Sequence, residues 1–298
     1  QGALDSEDTR VMVDSLGLLG IPVRHDPDAR ALEVQGCGGQ IPARGAELFV
    51  ANSGTTMRFL AAMVALGQGV FRLDGVPRMR HRPIEDLVAA LRQLGIAARS
   101  ENGFPPVTVK AAGMPTGRAV VAGDVSSQFL SGLLMAVPCA AGPVELEVAG
   151  TLVSQPYVQM TLAVMAGFGV TLQTHELRRF ATPGLQAYRA GHYAIEPDAS
   201  AASYFFAAAA ITGGRVTVEG LSRQSLQGDV AFCRCLEQMG CRVDYESDRI
   251  TVTGAPLRGI DVDMNAISDT VQTLGAVALF ADGPTTITGV GHIRHKET

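Results

Sequence analysis

Asn52-Ser53-Gly54-Thr55-Thr56-Met57-Arg58 follows a strand-like run, Glu47-Leu48-Phe49-Val50, and opens an apolar segment, Phe59-Leu60-Ala61-Ala62-Met63-Val64-Ala65-Leu66. Small, hydroxyl-bearing residues therefore stand at the first turn of a helix, where backbone N–H groups lack intrahelical partners. Those donors, with the positive end of the helix dipole, suit a phosphate or a carboxylate. Gly54 has no Cβ to hold a ligand away from the backbone. A plain N-cap by Asn52, Ser53 or Thr55 accounts for the same residues. What separates the two readings is that the arrangement returns along the chain.

Ser126-Ser127-Gln128 precedes Phe129–Val137, Asp198-Ala199-Ser200 precedes Ala201–Ile211, and Ser268-Asp269 precedes Thr270–Ala281. Each following segment is apolar nearly all round, which predicts helices buried inside their layer. A second kind of helix alternates with them. In Ile84–Leu94, Ile84, Leu87, Val88, Leu91 and Leu94 share one face, and Glu85, Asp86, Arg92 and Gln93 lie elsewhere, as in a surface helix. Amphipathic segments of this kind end on Gly20, Gly95, Gly169 and Gly240, at intervals of 75, 74 and 71 positions. Between the two helices lie the strands Val70–Leu73, Val144–Val148, Arg215–Val218 and Thr285–Thr288, and further strands such as Pro106–Val109 and Arg249–Val252 follow. The repeating unit reads strand–helix–strand–helix–strand–strand, too large for a simple solenoid. An α/β fold with units packed about an axis would let the polar helix starts converge on one anion site.

Composition narrows the function classes. With 47% apolar and 18% charged residues, the chain is that of a well-packed globule, and its 34 glycines imply many tight turns. A net charge of -5 gives no reason to expect nucleic acid or an anionic membrane as a partner. No apolar run is long enough to span a bilayer, and the N-terminus has neither a basic region nor an apolar core of a signal peptide. Cys37, Cys139, Cys233, Cys235 and Cys241 are odd in number and irregularly spaced. Reduced, mostly buried thiols of a cytoplasmic protein are the expectation.

Several residues could carry chemistry. Arg78, Arg80 and Arg82, set between Pro77 and Pro83, look like an anion clamp. The equivalent loop one repeat later, Gly150–Tyr157, carries hydroxyls instead. Ser126, Ser127 and Gln128 offer more polar groups than one cap needs. Asp269 stands at a helix start, as an N-cap or as a carboxylate kept ionised by the dipole. His292 and His295 form an H-x-x-H with no carboxylate or cysteine after it, so no metal is expected there.

Taken in order, NSGTTMR at 52–58, PRMRHRPI at 77–84, DVSSQFLSGLL at 124–134, LVSQPY at 152–157, DASAASYF at 198–205, DMNAISD at 263–269 and RHKET at 294–298 resemble one family. It is the 5-enolpyruvylshikimate-3-phosphate synthases, or 3-phosphoshikimate 1-carboxyvinyltransferases, and the resemblance runs over essentially the whole chain. It implies a two-lobed enolpyruvyl transferase fold of βαβαββ units, with residues 1–195 in the first lobe and 196–298 in a partial second lobe. It also implies transfer of the enolpyruvyl group of phosphoenolpyruvate to the 5-hydroxyl of shikimate 3-phosphate, by addition and elimination, in a cytoplasmic monomer without metal or cofactor.

Residue by residue, the resemblance gives Ser126, Ser127, Ser154 and Tyr157 to shikimate 3-phosphate, and Gly54 and Arg78 to phosphoenolpyruvate. Gln128 falls between the two substrates. Asp269 becomes the base at the 5-hydroxyl, Glu297 the acid that protonates the methylene carbon, and Lys296 a substrate contact. His292 stands where many relatives carry Asn, Phe59 where some carry Pro, and Thr56 where some carry Ala. The family's Lys-Ser motif near its start and its cationic residues beyond Lys-Glu-Thr have no counterpart here, which implies an incomplete enzyme with slow or no turnover. The alternatives are a non-catalytic substrate-binding fragment and a UDP-N-acetylglucosamine enolpyruvyl transferase. The second needs a loop cysteine where Arg78 stands.

Overall fold

A computed structural model describes residues 1–295. The chain opens with helix α1 (Glu7–Leu18), closed at its start by a capping box between Ser6 and Thr9. Strands β1 (Val23–Asp26) and β2 (Ala31–Val34) follow as an antiparallel pair.

The repeating unit is then built twice in full. In the first, β3 (Gly45–Phe49), α2 (Gly54–Met63), β4 (Gln68–Asp74), α3 (Glu85–Gln93), β5 (Ala97–Glu101) and β6 (Phe104–Ala112) give a sheet of order β3-β4-β6-β5. Helix α2 crosses between β3 and β4, so those strands run parallel, whereas β6 lies antiparallel to both its neighbours. The second comprises β7 (Gly117–Ala122), α4 (Ser127–Ala136), β8 (Val144–Ala149), α5 (Gln155–Gly167), β9 (Gln173–His175) and β10 (Arg179–Thr182). Its order, β7-β8-β10-β9, and its strand senses are the same.

Two partial copies complete the chain. Helix α6 (Ala199–Thr212), β11 (Arg215–Glu219), α7 (Phe232–Met239), β12 (Arg242–Tyr245) and β13 (Arg249–Thr253) repeat the pattern without a leading strand, in the order β11-β13-β12. The last, β14 (Asp261–Asp263), α8 (Val271–Ala278) and β15 (Thr286–Thr288), keeps the parallel crossover alone.

The described residues divide into two compact bodies. One holds Gln1–Val153 with Thr161–Ala194, and the other holds Ser154–Met160 with Ile195–Arg294. In the first, α2 and α4 are the buried pair, and most residues of both are shielded from solvent. Their close approach rests on Gly132, where a Cβ would lie 3.0 Å from the Arg58 carbonyl oxygen. Fully buried side chains such as Leu60, Leu133 and Phe129 each contribute about 2 kcal/mol of transfer free energy.

The second body has its own core, including Phe206, Phe232, Leu236, Met239, Ile250, Val252, Leu274 and Val277. Here the expectation of helices buried all round fails. Tyr204 and Phe205 on α6 are 64% and 62% exposed, and Leu279 and Phe280 just after α8 are 84% and 60% exposed. Apolarity on every face shows that a helix is able to be buried, but the number of neighbours around it decides whether it is. Among the described residues no helix is long and apolar enough to cross a membrane. All five cysteines are free thiols, with Cys233, Cys235 and Cys241 buried.

Candidate active site

Two clusters hold the polar groups that the motifs single out, one in each body. In the first, Ser53 caps α2. Its Oγ accepts from the Thr56 N–H at 3.2 Å, donates to Asp8 at 2.9 Å, and lies 2.8 Å from Thr56 Oγ1. Gly54, the first residue of the helix, is pressed between two guanidinium groups, and a Cβ there would collide with Arg58 Nη1 and Arg82 Nη2. Arg58 and Arg82 are only 4% and 5% exposed. Arg58 Nη1 donates to Gln128 Oε1 at 2.9 Å, and its guanidinium carbon lies 5.4 Å from the centre of the Phe129 ring. Gln128 Nε2 in turn donates to Thr55 Oγ1 at 3.0 Å. One chain of contacts thus joins the starts of α2 and α4 through a buried cation. Ser126 caps α4, its Oγ accepting from the Gln128 N–H at 3.3 Å, and Ser127 is buried in the first turn.

The three arginines read as one clamp do three different things. Arg80 grips Asp74 at the end of β4 through both ends of its fork, at 2.9 and 2.7 Å. Burial pushes the Asp74 carboxyl up. The hydrogen bonds from Arg80 and the Gly75 N–H, with the charges of Arg80 and Arg72, outweigh it and hold the group below its ordinary range. Arg82 is turned inward, its Nη1 donating to the Asn52 carbonyl at 2.9 Å. Arg78, exposed like Arg80, stands at the start of the short 3-10 turn Met79–His81.

In the second body, Tyr157 Oη lies 3.0 and 2.9 Å from the two carboxylate oxygens of Asp229 and 2.9 Å from Asp269 Oδ2. Burial first, then the two carboxylates, pushes the phenol far above its usual range, so the hydroxyl stays a donor. It has a single proton for two acidic partners. Asp229 is buried and also receives Ser200 Oγ at 2.6 Å, whereas Asp269 is exposed.

The N-cap reading of Asp269 fails. Asp269 lies in the 3-10 segment Asn265–Thr270, kinked at Ile267, and the cap position of α8 falls to Thr270 with no side-chain cap bond. At the other helix start, Asp198 is a true cap, accepting from the Ala201 N–H at 2.9 Å.

Ser154 lies in the same body. It is buried, with φ at +53°, a conformation that costs a non-glycine residue roughly 1 kcal/mol. Its N–H donates to Asn265 Oδ1 at 3.2 Å, and its Oγ lies 3.3 Å from both Ser268 Oγ and His292 Nε2. The strained turn thus sets Ser154 beside His292. Lys296 and Glu297 lie outside the described residues.

Sequence reasoning missed Asp229, Arg58 and the Asn265–Ser268 pair as partners. Arg58 carried a signal, since a lone cation within an apolar helix has to be neutralised or hydrogen-bonded. Asp229 carried none, for it meets Tyr157 across 72 positions of chain.

The EPSP synthase (3-phosphoshikimate 1-carboxyvinyltransferase) family model matches residues 1–298. The chain is 50% identical to the 3-phosphoshikimate 1-carboxyvinyltransferase of Nostoc punctiforme, over 100% of this chain and 71% of that protein. It is 49% identical to that of Nitrosomonas europaea, over 99% of this chain and 70% of that protein. Among solved structures, an EPSP synthase from Acinetobacter baumannii superposes with a TM-score of 0.79 at 24% identity, covering 99% of this chain and 68% of that one. The arrangement of strands and helices is therefore the enolpyruvyl transferase fold, and the chain belongs to the EPSP synthase family.

Proposed function

We propose that the chain transfers the enolpyruvyl group of phosphoenolpyruvate to the 5-hydroxyl of shikimate 3-phosphate, releasing phosphate. The observation that carries this reading is the exposed Asp269 carboxylate, set just ahead of α8 and hydrogen-bonded by the Tyr157 hydroxyl. A general base needs an accessible oxygen and a neighbour that fixes its direction. Tyr157 supplies the direction, and Asp229 behind it keeps the phenol hydrogen-bonded when Asp269 takes a proton.

In this reading Asp269 accepts the proton of the 5-hydroxyl as its oxygen bonds to the substituted carbon of phosphoenolpyruvate. Glu297 delivers a proton to the methylene carbon, and loss of a proton from the resulting methyl group as phosphate departs then restores the double bond. Ser126, Ser127, Ser154, Tyr157 and Lys296 hold shikimate 3-phosphate. Gly54, Arg78 and Gln128 hold phosphoenolpyruvate, with buried Arg58 fixing the Gln128 amide. Charge developing in the addition step is stabilised by fixed donors that need no reorganisation. The two lobes are assigned to residues 1–195 and 196–298, and the protein acts as a cytoplasmic monomer.

Calorimetric titration with shikimate 3-phosphate, with UDP-N-acetylglucosamine as the control, tests the substrate class. Binding of shikimate 3-phosphate alone supports the assignment. Binding of the nucleotide sugar alone, or of neither, refutes it.

A further inference from the structure

Away from the polar clusters, a turn that begins at one cysteine packs against a second cysteine in the first body. Cys37 opens a four-residue turn whose Gln40 N–H donates to the Cys37 carbonyl at 3.0 Å. The middle of the turn is Gly38 and Gly39, with φ at +58° and +78°. Two successive left-handed residues form a tight turn that glycine adopts at little cost. Gly39 packs directly on Cys139, since a Cβ at Gly39 would lie 2.8 Å from Cys139 Cβ and 3.1 Å from its Sγ. Cys139 closes the short 3-10 turn Val137–Cys139 that follows α4. Both cysteines are half-buried, whereas Cys233, Cys235 and Cys241 are buried.

We propose that Cys37 and Cys139 are a reversible thiol–disulfide site that reacts with a small-molecule disulfide such as oxidised glutathione. A disulfide needs Cα atoms roughly 4.4–6.8 Å apart. The paired glycines let Cys37 swing toward the fixed Cys139 without straining a side chain. Burial, then the nearby Cys37 charge, raises the Cys139 thiol, which makes Cys139 the slower, resolving partner. The Cys37 thiolate attacks one sulfur of oxidised glutathione, breaking its S–S bond and releasing one glutathione thiolate. Cys139 then gives up its proton, and its sulfur attacks Cys37 Sγ and expels the second glutathione. Two protein thiols are oxidised, one glutathione disulfide is reduced to two glutathiones, and the two protons end on them. The bond would clamp the turn after β2 to the far end of α4, the helix that begins with Ser127 and Gln128.

The test treats the folded chain with oxidised glutathione, blocks remaining thiols by alkylation and maps peptides by mass spectrometry. The expected result is a Cys37–Cys139 linked peptide, removed by dithiothreitol. Cys233, Cys235 and Cys241 should become alkylated only after denaturation. In Cys139→Ser, Cys37 should instead hold one glutathione. The proposal is overturned if all five thiols of the wild type stay free, or if glutathione remains on the chain with no linked peptide. It is equally overturned if the linked peptides join other cysteines. The wild-type map decides even if the variant fails to fold.

Discussion

The hydroxyl of Tyr157 lies 2.9 Å from Asp269 Oδ2 and, on its other side, within hydrogen-bond distance of both oxygens of Asp229. One donor between two carboxylates makes the phenol an organiser of charge. Tyr157→Phe removes that donor and nothing else. We expect kcat/KM to fall about tenfold to a hundredfold, or roughly 1.4 to 2.7 kcal/mol. Steady-state phosphate release measures it.

The two carboxylates should separate by their effect on stability. Asp229 is buried with donors from Tyr157 and Ser200, so Asp229→Ala takes the acceptor from Ser200 and leaves Tyr157 with Asp269 alone. That costs about 1–3 kcal/mol. Asp269 is exposed, so Asp269→Ala should lower activity while moving the denaturant midpoint little. Parallel denaturant titrations decide, and an equal loss of stability in both would contradict the assignment.

Arg58 and Gln128 should behave as one unit. Arg58→Lys loses the Nη1 donor to Gln128 Oε1 and the planar fork that fits beside Gly54. A double-mutant cycle with Gln128→Ala should show a coupling of about 1 kcal/mol or more in kcat/KM. Simple additivity would mean that Arg58 only fills space.

Ser154 offers a case in which stability and binding move in opposite directions. Ser154→Gly relieves the left-handed φ and removes the Oγ beside Ser268 and His292. Thermal stability should hold or rise, while affinity for shikimate 3-phosphate drops about tenfold. Melting curves and calorimetry on the same preparation read both.

The Asp74–Arg80 pair predicts a pH dependence. The folded-state carboxyl is held below its ordinary range, so its contribution is present above the unfolded value of about 4 and is lost as pH falls through the folded value. Asp74→Asn should therefore be less stable than wild type at neutral pH, and the gap should close in acid. Denaturant midpoints across that range check the sign.

The repeat was legible because its marks are local. Glycines that end helices, apolar segments and polar helix starts need no partner to be seen, and they placed α2, α4, α6 and α8 within a few residues. What depends on distant neighbours was not legible. Tyr204, Phe205, Leu279 and Phe280 read as core and stand in solvent. Asp269 read equally as a cap, but the cap position of α8 falls one residue later, at Thr270. The cluster of Arg78, Arg80 and Arg82 read as one device, yet Asp74 and Asn52, contributed by other segments, divide it. A site built from contacts spanning 70 or more positions, such as Arg58 with Gln128, leaves only its separate halves in the sequence.

The most direct measurement is phosphate release from phosphoenolpyruvate, with and without shikimate 3-phosphate, by the wild-type chain and Asp269→Asn. The account predicts release by wild type only when shikimate 3-phosphate is present. It also predicts a fall of about a hundredfold or more in Asp269→Asn, with affinity for shikimate 3-phosphate kept within a few fold. Phosphate release by wild type that does not depend on shikimate 3-phosphate, or an Asp269→Asn chain as fast as wild type, would contradict it.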